Sequence, residues 1–151
     1  MTACPTCGHV VERVTFSAAT LIDAKVESAN RYSVNHGAAR FAYAKKRDEW
    51  FSQFRATIWL VVVDGEETTA TTFQIGDPTK RRRVTFTRCY AGRDREMDRA
   101  NMIGGMKPVL DAMVRAGLLV DDSPKWLDDR YEQQRVGKGE DGLRVLIEEV
   151  G

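Results

Sequence analysis

An α+β fold is what this sequence predicts: a mixed sheet of about five or six strands packed with two main helices. Three observations point there. Short runs of alternating polarity recur between turn dipeptides, as in half-buried strands. Two longer stretches carry apolar residues at helical spacing. The two kinds of element do not alternate strictly, as they would in an all-parallel α/β sheet.

The 151 residues amount to one domain. Lys and Arg total 23 against 22 Asp and Glu, a net charge of +1, with 42% apolar and 30% charged residues. That balance excludes a disordered tail, a collagen-like fibre, a disulfide-dense miniprotein and a histone-like blanket of positive charge. The longest apolar run, Ile58 to Val63, is far shorter than the roughly 20 residues a membrane-spanning helix needs. Met1 to Pro5 has neither a basic start nor an apolar stretch. No secretory leader and no membrane partner are therefore expected, and the cytoplasm is the expected compartment.

Taken in order, Val10 to Phe16 alternates and predicts a strand, and Leu21, Ile22 and Val26 suggest a short helical turn. Ser33 or Asn35 is placed to cap the first main helix. Phe41, Ala44, Asp48, Phe51, Phe54 and Ile58 fall at helical spacing there, with Trp50 and Trp59 widening an apolar stripe read as core. The valines of Leu60 to Val63 favour a strand, Asp64-Gly65 a turn, and Thr68 to Ile75 another strand. Val84 to Tyr90 alternates clearly after the basic run Lys80 to Arg83. The second helix lies between Asp98 and Ala116. Pro108 sets up either a kink at Gly104-Gly105 or a regular helix starting only at Lys107, and Gly117 is a stop. Trp126 to Val136 and Leu143 to Val150 then predict a hairpin around the glycine-rich 137–142 turn.

Cysteines number three, Cys4, Cys7 and Cys89, an odd count that argues against a disulfide framework. Cys4 and Cys7 with Gly8 and His9 have the shape of half a zinc knuckle. A structural Zn²⁺ normally takes four ligands, and only His9, His36 and Cys89 are further candidates. The plainer reading is a flexible, reduced N-terminal segment over residues 1–9, ahead of a single domain over 10–151.

The acidic positions flanking the second helix carry the chemistry. Asp98 lies at its start, and Asp121 and Asp122 lie in the loop after Val120. If the three converge, mutual repulsion would raise one pKa unless a cation such as Mg²⁺ offsets it. Such a cation can activate water against a phosphodiester. Adjacent aspartates also arise by chance in so charged a chain. Lys107, on the same helix, is either a phosphate ligand or merely solvated. Lys80, Arg81, Arg82 and Arg83 form either a DNA-phosphate patch or a charged sheet edge. Arg93, Arg95 and Arg99 add positive charge near the acidic cluster.

The stretch from Asp98-Arg99-Ala100-Asn101 through Lys107-Pro108, Asp111-Ala112, Ala116-Gly117 and Asp121-Asp122-Ser123-Pro124 resembles the RusA family of Holliday junction resolvases, in its phage and prophage branch. The family pattern is D-x-D-N, a spacer, K-P, L-x-D-A-L, A-G and D-D-S. Asn35-His36 and the Lys80 to Arg88 strand fit more loosely, so the resemblance spans about residues 30 to 150.

The resemblance implies a Mg²⁺-dependent endonuclease in the host bacterial cytoplasm, serving DNA recombination and repair. It would act as a homodimer placing paired nicks in branched DNA. It makes Asp98, Asp121 and Asp122 the metal candidates, Asp122 foremost of the pair, and Lys107, Asp98 and Asp122 the catalytic set. Lys80, Arg81, Arg82, Arg83, Arg88 and Asn101 are the expected DNA contacts, and Asp111 is expected to be structural. Two departures stand out. The family's second aspartate is Ala100 here, so the remaining carboxylates suffice, Asp94 or Glu96 substitutes, or junctions are bound without being cut. The Cys4-Cys7 segment lies outside the family core and leaves open a zinc-stabilised interaction protein.

Overall fold

The computed structural model describes residues 2–3, 10–11, 16–28 and 37–150. Cys4, Cys7, His9 and His36 lie outside the described residues, as do the proposed helix caps Ser33 and Asn35. Among the described residues no helix is long and apolar enough to cross a membrane.

A small antiparallel pair, β1 (Thr2–Ala3) and β2 (Val10–Val11), stands apart from a six-stranded sheet. In chain order the larger sheet contains β3 (Phe16–Ile22), β4 (Ile58–Val63), β5 (Glu66–Thr71), β6 (Arg82–Tyr90), β7 (Leu127–Arg135) and β8 (Gly142–Glu149). Their spatial order is β5-β4-β3-β8-β6-β7. Every pairing is antiparallel except β6 with β7. With α1 (Gly37–Ala56), the single turn α2 (Thr72–Ile75), α3 (Arg99–Gly105) and α4 (Lys107–Arg115), the class is the expected α+β with a mixed sheet.

Several elements depart from the sequence expectation. The strand placed at Val10 to Phe16 is instead β2 and then β3, which takes in Leu21 and Ile22. The expected terminal hairpin does not form. Its two strands are separated by β6, which pairs parallel with β7 and antiparallel with β8. Alternation shows that a segment is a strand but says nothing about its neighbour. Thr72 to Ile75 closes into a helical turn because Thr71 and Gln74 cap one another reciprocally.

The expected stripe of α1 is only half right. Trp50 and Phe54 are fully buried, but Phe41 is 74% and Ile58 58% exposed. Ile58 already belongs to β4, so helical spacing no longer governs where it points. The helix ends as Thr57 turns its backbone N–H onto Phe54 O at 3.2 Å, and Trp59 folds back to stack on Phe54 with centroids 6.5 Å apart. Asp64-Gly65 closes the β4–β5 hairpin with both residues at positive φ, 50° and 84°, the conformation a two-residue turn requires.

The core lies between the sheet and α1, α3 and α4. Ala18, Trp59, Val84, Phe86, Val145 and Ile147 meet Phe54, Met106, Val109 and Met113 there. A parallel pair needs a crossover, and here α3 and α4 supply it between β6 and β7. The expected single helix is thus two, joined at Met106, with Pro108 in the first turn of α4 where it costs no hydrogen bond. At Gly105, a Cβ would lie 1.8 Å from Glu27 O, so only glycine lets α3 press against the 23–28 segment. Gly117, at φ +81°, ends α4 and turns the chain toward Asp121.

Candidate functional site

The crossover decides where the candidate residues go. Asp98 closes the segment that leaves the C-terminal end of β6, and Asp121 and Asp122 precede the N-terminal end of β7. In a parallel pair those ends lie at opposite extremes of the strands. The 91–97 segment turns back along β7, and Gln133 holds Met97 through both its N–H, at 2.8 Å, and its carbonyl, at 2.7 Å.

Lys107 is the hub. Its Nζ donates to Asp122 Oδ2 at 2.7 Å and lies 3.1 Å from Asp111 Oδ1, one helical turn along α4. Tyr43 of α1 donates its hydroxyl to the other oxygen of Asp111. Asp121 Oδ1 accepts the backbone N–H of Asp122 at 2.8 Å, which holds the Asp121 carboxylate against the Asp122 backbone. The Lys107 side chain is 53% and that of Asp122 36% exposed, so a ligand can reach the pair. The hydrogen bond from Lys107 holds the Asp122 carboxyl below its usual range, and the same bond raises the Lys107 ammonium. At neutral pH Lys107 is therefore a fixed positive charge rather than a base.

Asp98 makes its hydrogen bonds outside this network. It caps α3, with Oδ1 accepting Asn101 N–H at 2.9 Å and Oδ2 accepting Asn101 Nδ2 at 2.5 Å. Asn101, expected to face DNA, is engaged with Asp98. Asp111, expected to be structural, anchors Lys107. Among the described residues no three His, Cys, Asp or Glu side chains gather as a metal-holding group. The donor chemistry of Asp121 and Asp122 still suits Mg²⁺. That ion is usually held by one or two carboxylates, several waters and substrate phosphates rather than by a closed protein cage. The Lys107 hydrogen bond favours the ionised form of Asp122, the form a metal ligand needs.

The basic run does not act as a unit. Lys80 is exposed. Arg81 donates through Nε to Pro124 O at 3.0 Å, bracing the loop that carries Asp121 and Asp122. Arg83 pairs with its cross-strand neighbour Asp128 at 2.9 Å and lowers that carboxyl's pKa. Arg82 is 3% exposed, and its guanidinium donates to Leu118 O at 2.8 Å and Ile75 O at 2.6 Å, with Glu149 at 3.4 Å. Arg88 is 5% exposed and donates to Arg95 O at 2.9 Å and Gln133 Oε1 at 3.1 Å. The DNA-contact role expected of Arg82 and Arg88 is therefore corrected: both are buried, and both serve backbone carbonyls. Charge count alone cannot tell an outward arginine from one that turns in to satisfy loop carbonyls.

Three residues at or beside the site were not picked out from the sequence. Tyr43 lies too far from the motif for any spacing rule. Tyr131 and Asp129 lie on β7, where the Tyr131 hydroxyl donates to Asp129 at 2.6 Å and its ring stacks on Phe86. Burial is the main cause that raises the Tyr131 phenol, followed by Asp129, with a smaller contribution from Asp122. Tyr131 thus stays a neutral hydroxyl near the acidic loop.

No protein-family model matches this chain, and no curated protein matches it.

Proposed function

We propose that this chain is a Mg²⁺-dependent, structure-selective endonuclease that nicks paired strands of branched DNA as a homodimer. The observation that carries the reading is the meeting of Lys107 with Asp122, next to Asp121, on a loop fifteen residues away. Those are the positions at which the RusA resemblance puts its lysine and its acidic pair.

Asp121 and Asp122 would hold the cation, with Asp98 as the remaining candidate. Bound Mg²⁺ would activate water and offset charge on the phosphodiester. Lys107 neutralises the negative charge that builds on the scissile phosphate or the leaving oxygen. Asp111 and Tyr43 keep the lysine aimed at the loop instead of into solvent. Asp121 fixes the backbone of Asp122.

A second reading, a junction-binding protein that does not cut, is favoured by two observations. Ala100 offers no oxygen where the family pattern has an aspartate, and both oxygens of Asp98 are taken by Asn101.

The test is a labelled synthetic four-way junction incubated with the purified chain and Mg²⁺. Paired nicks that vanish in Asp122→Asn and fall by about 10²-fold or more in Lys107→Met are expected. An intact junction at high protein and metal concentration overturns the nuclease reading. Binding that persists in chelator without any cutting selects the second. About one equivalent of Zn²⁺ per chain, lost in Cys4→Ser, would favour a zinc-stabilised interaction protein instead.

A further inference from the structure

The segment 91–97, between β6 and α3, has no regular structure, yet its backbone is tied down along its length. Arg135 of β7 donates to Gly92 O at 3.2 Å and Asp94 O at 3.0 Å. Arg88 of β6 donates to Arg95 O, and Gln133 takes both backbone groups of Met97. The side chain of Asp94 faces Lys25 at 3.4 Å. Arg88 and Arg135 both lie against the Tyr90 ring, at 5.0 and 4.9 Å, which holds the clamp itself in place.

The side chains of this segment differ in exposure. Asp94 is half-buried, while Arg93 and Arg95 are exposed, as is Arg99 at the start of α3. Among the described residues the guanidiniums of Arg93, Arg95 and Arg99 have no hydrogen-bond or ion-pair partner. Three like charges held near one another on a fixed backbone repel, and an anion bound among them offsets that repulsion. Glu96 is the one unpaired carboxylate among them. Arg99 lines one cleft with Met102 and Tyr131, together with the carboxylates Glu96 and Glu132.

We infer that Arg93, Arg95 and Arg99 form a preformed contact surface for the DNA phosphate backbone, in place of the buried Arg82 and Arg88. The inference rests on the DNA reading above but not on cleavage. Because the loop is already ordered, binding pays little to immobilise it, and regularly spaced phosphates suit guanidinium donors.

The experiment measures affinity of the full chain for a labelled four-way junction in chelator, across a salt series. Replacing Arg93, Arg95 and Arg99 with Ala should reduce the slope of log affinity against log salt by about three, one per lost phosphate contact. Affinity near 0.1 M salt should fall roughly 10- to 100-fold. Gln133→Ala, which loosens the loop but removes no charge, should weaken binding several-fold and leave the slope unchanged. A triple variant with the wild-type slope overturns the inference, as does a wild-type chain that binds no junction. A wild-type chain that binds with the expected slope but never nicks in Mg²⁺ overturns the nuclease reading and leaves this surface standing.

Discussion

The ammonium of Lys107 stands 2.7 Å from the carboxylate of Asp122, joining the first residue of α4 to the loop that follows that helix. Lys107 holds Asp122 ionised below the ordinary carboxyl range, and Asp122 helps hold Lys107 protonated above the ordinary ammonium range. The aspartate's share of stability is present above the unfolded carboxyl pKa, about 3.9, and is lost as pH falls through the lower folded value. The lysine's share is present below its unfolded pKa, about 10.4, and is lost as pH rises through the higher folded value. Between those limits the pair is predicted to add no pH dependence to unfolding. In Lys107→Met the Asp122 carboxyl should move back up toward 3.9, read from its carboxyl carbon shift in an NMR titration. An unmoved Asp122 would show that the bond is absent in solution.

Arg82 should behave as a framework residue. Arg82→Met leaves Leu118 O and Ile75 O without their buried donor and Glu149 without its partner. A loss of about 3–5 kcal/mol is predicted from the urea midpoint, with the salt slope of DNA binding unchanged in whatever folds. A lower slope in a stable variant would return Arg82 to the DNA surface.

Gly105 is predicted to be intolerant of even one methyl group. In Gly105→Ala the new Cβ would meet Glu27 O at 1.8 Å, and neither backbone can yield without shifting α3 off the 23–28 segment. The expected cost is about 1–3 kcal/mol or more, measured by chemical denaturation. A neutral result would mean that this packing is loose.

Ala100→Asp separates the two functional readings. Position 100 is exposed in the first turn of α3, where an acidic residue also suits the helix dipole, so folding should be unharmed. If a missing carboxylate limits the chemistry, this one change should create or strengthen Mg²⁺-dependent nicking of a four-way junction. If nicking is already full in the natural chain and unaffected by the substitution, the remaining carboxylates suffice.

Much of the fold could be read from local pattern. The alternation of Val84 to Tyr90, the Asp64-Gly65 turn, the body of α1 and the stop at Gly117 each depend on residues close in sequence. Steric and hydrogen-bonding rules act at that range. The candidate lysine and its acidic loop were legible for another reason: the motif keeps them at fixed spacing around one helix.

What the sequence by itself determined was therefore the α+β class and most of the element types. Tertiary structure alone decided the rest. The insertion of β6 between β7 and β8 removed the hairpin, because strand pairing is set by contacts between distant segments. The parallel crossover left Asp98 with Asn101 while Lys107 drew in Asp122, Asp111 and, through Asp111, Tyr43. Packing turned Arg82 and Arg88 inward to serve backbone carbonyls, and left Arg93, Arg95 and Arg99 exposed. An arginine carries the same charge in either place, so only the packing around it determines whether that charge is spent on the fold or offered to a partner.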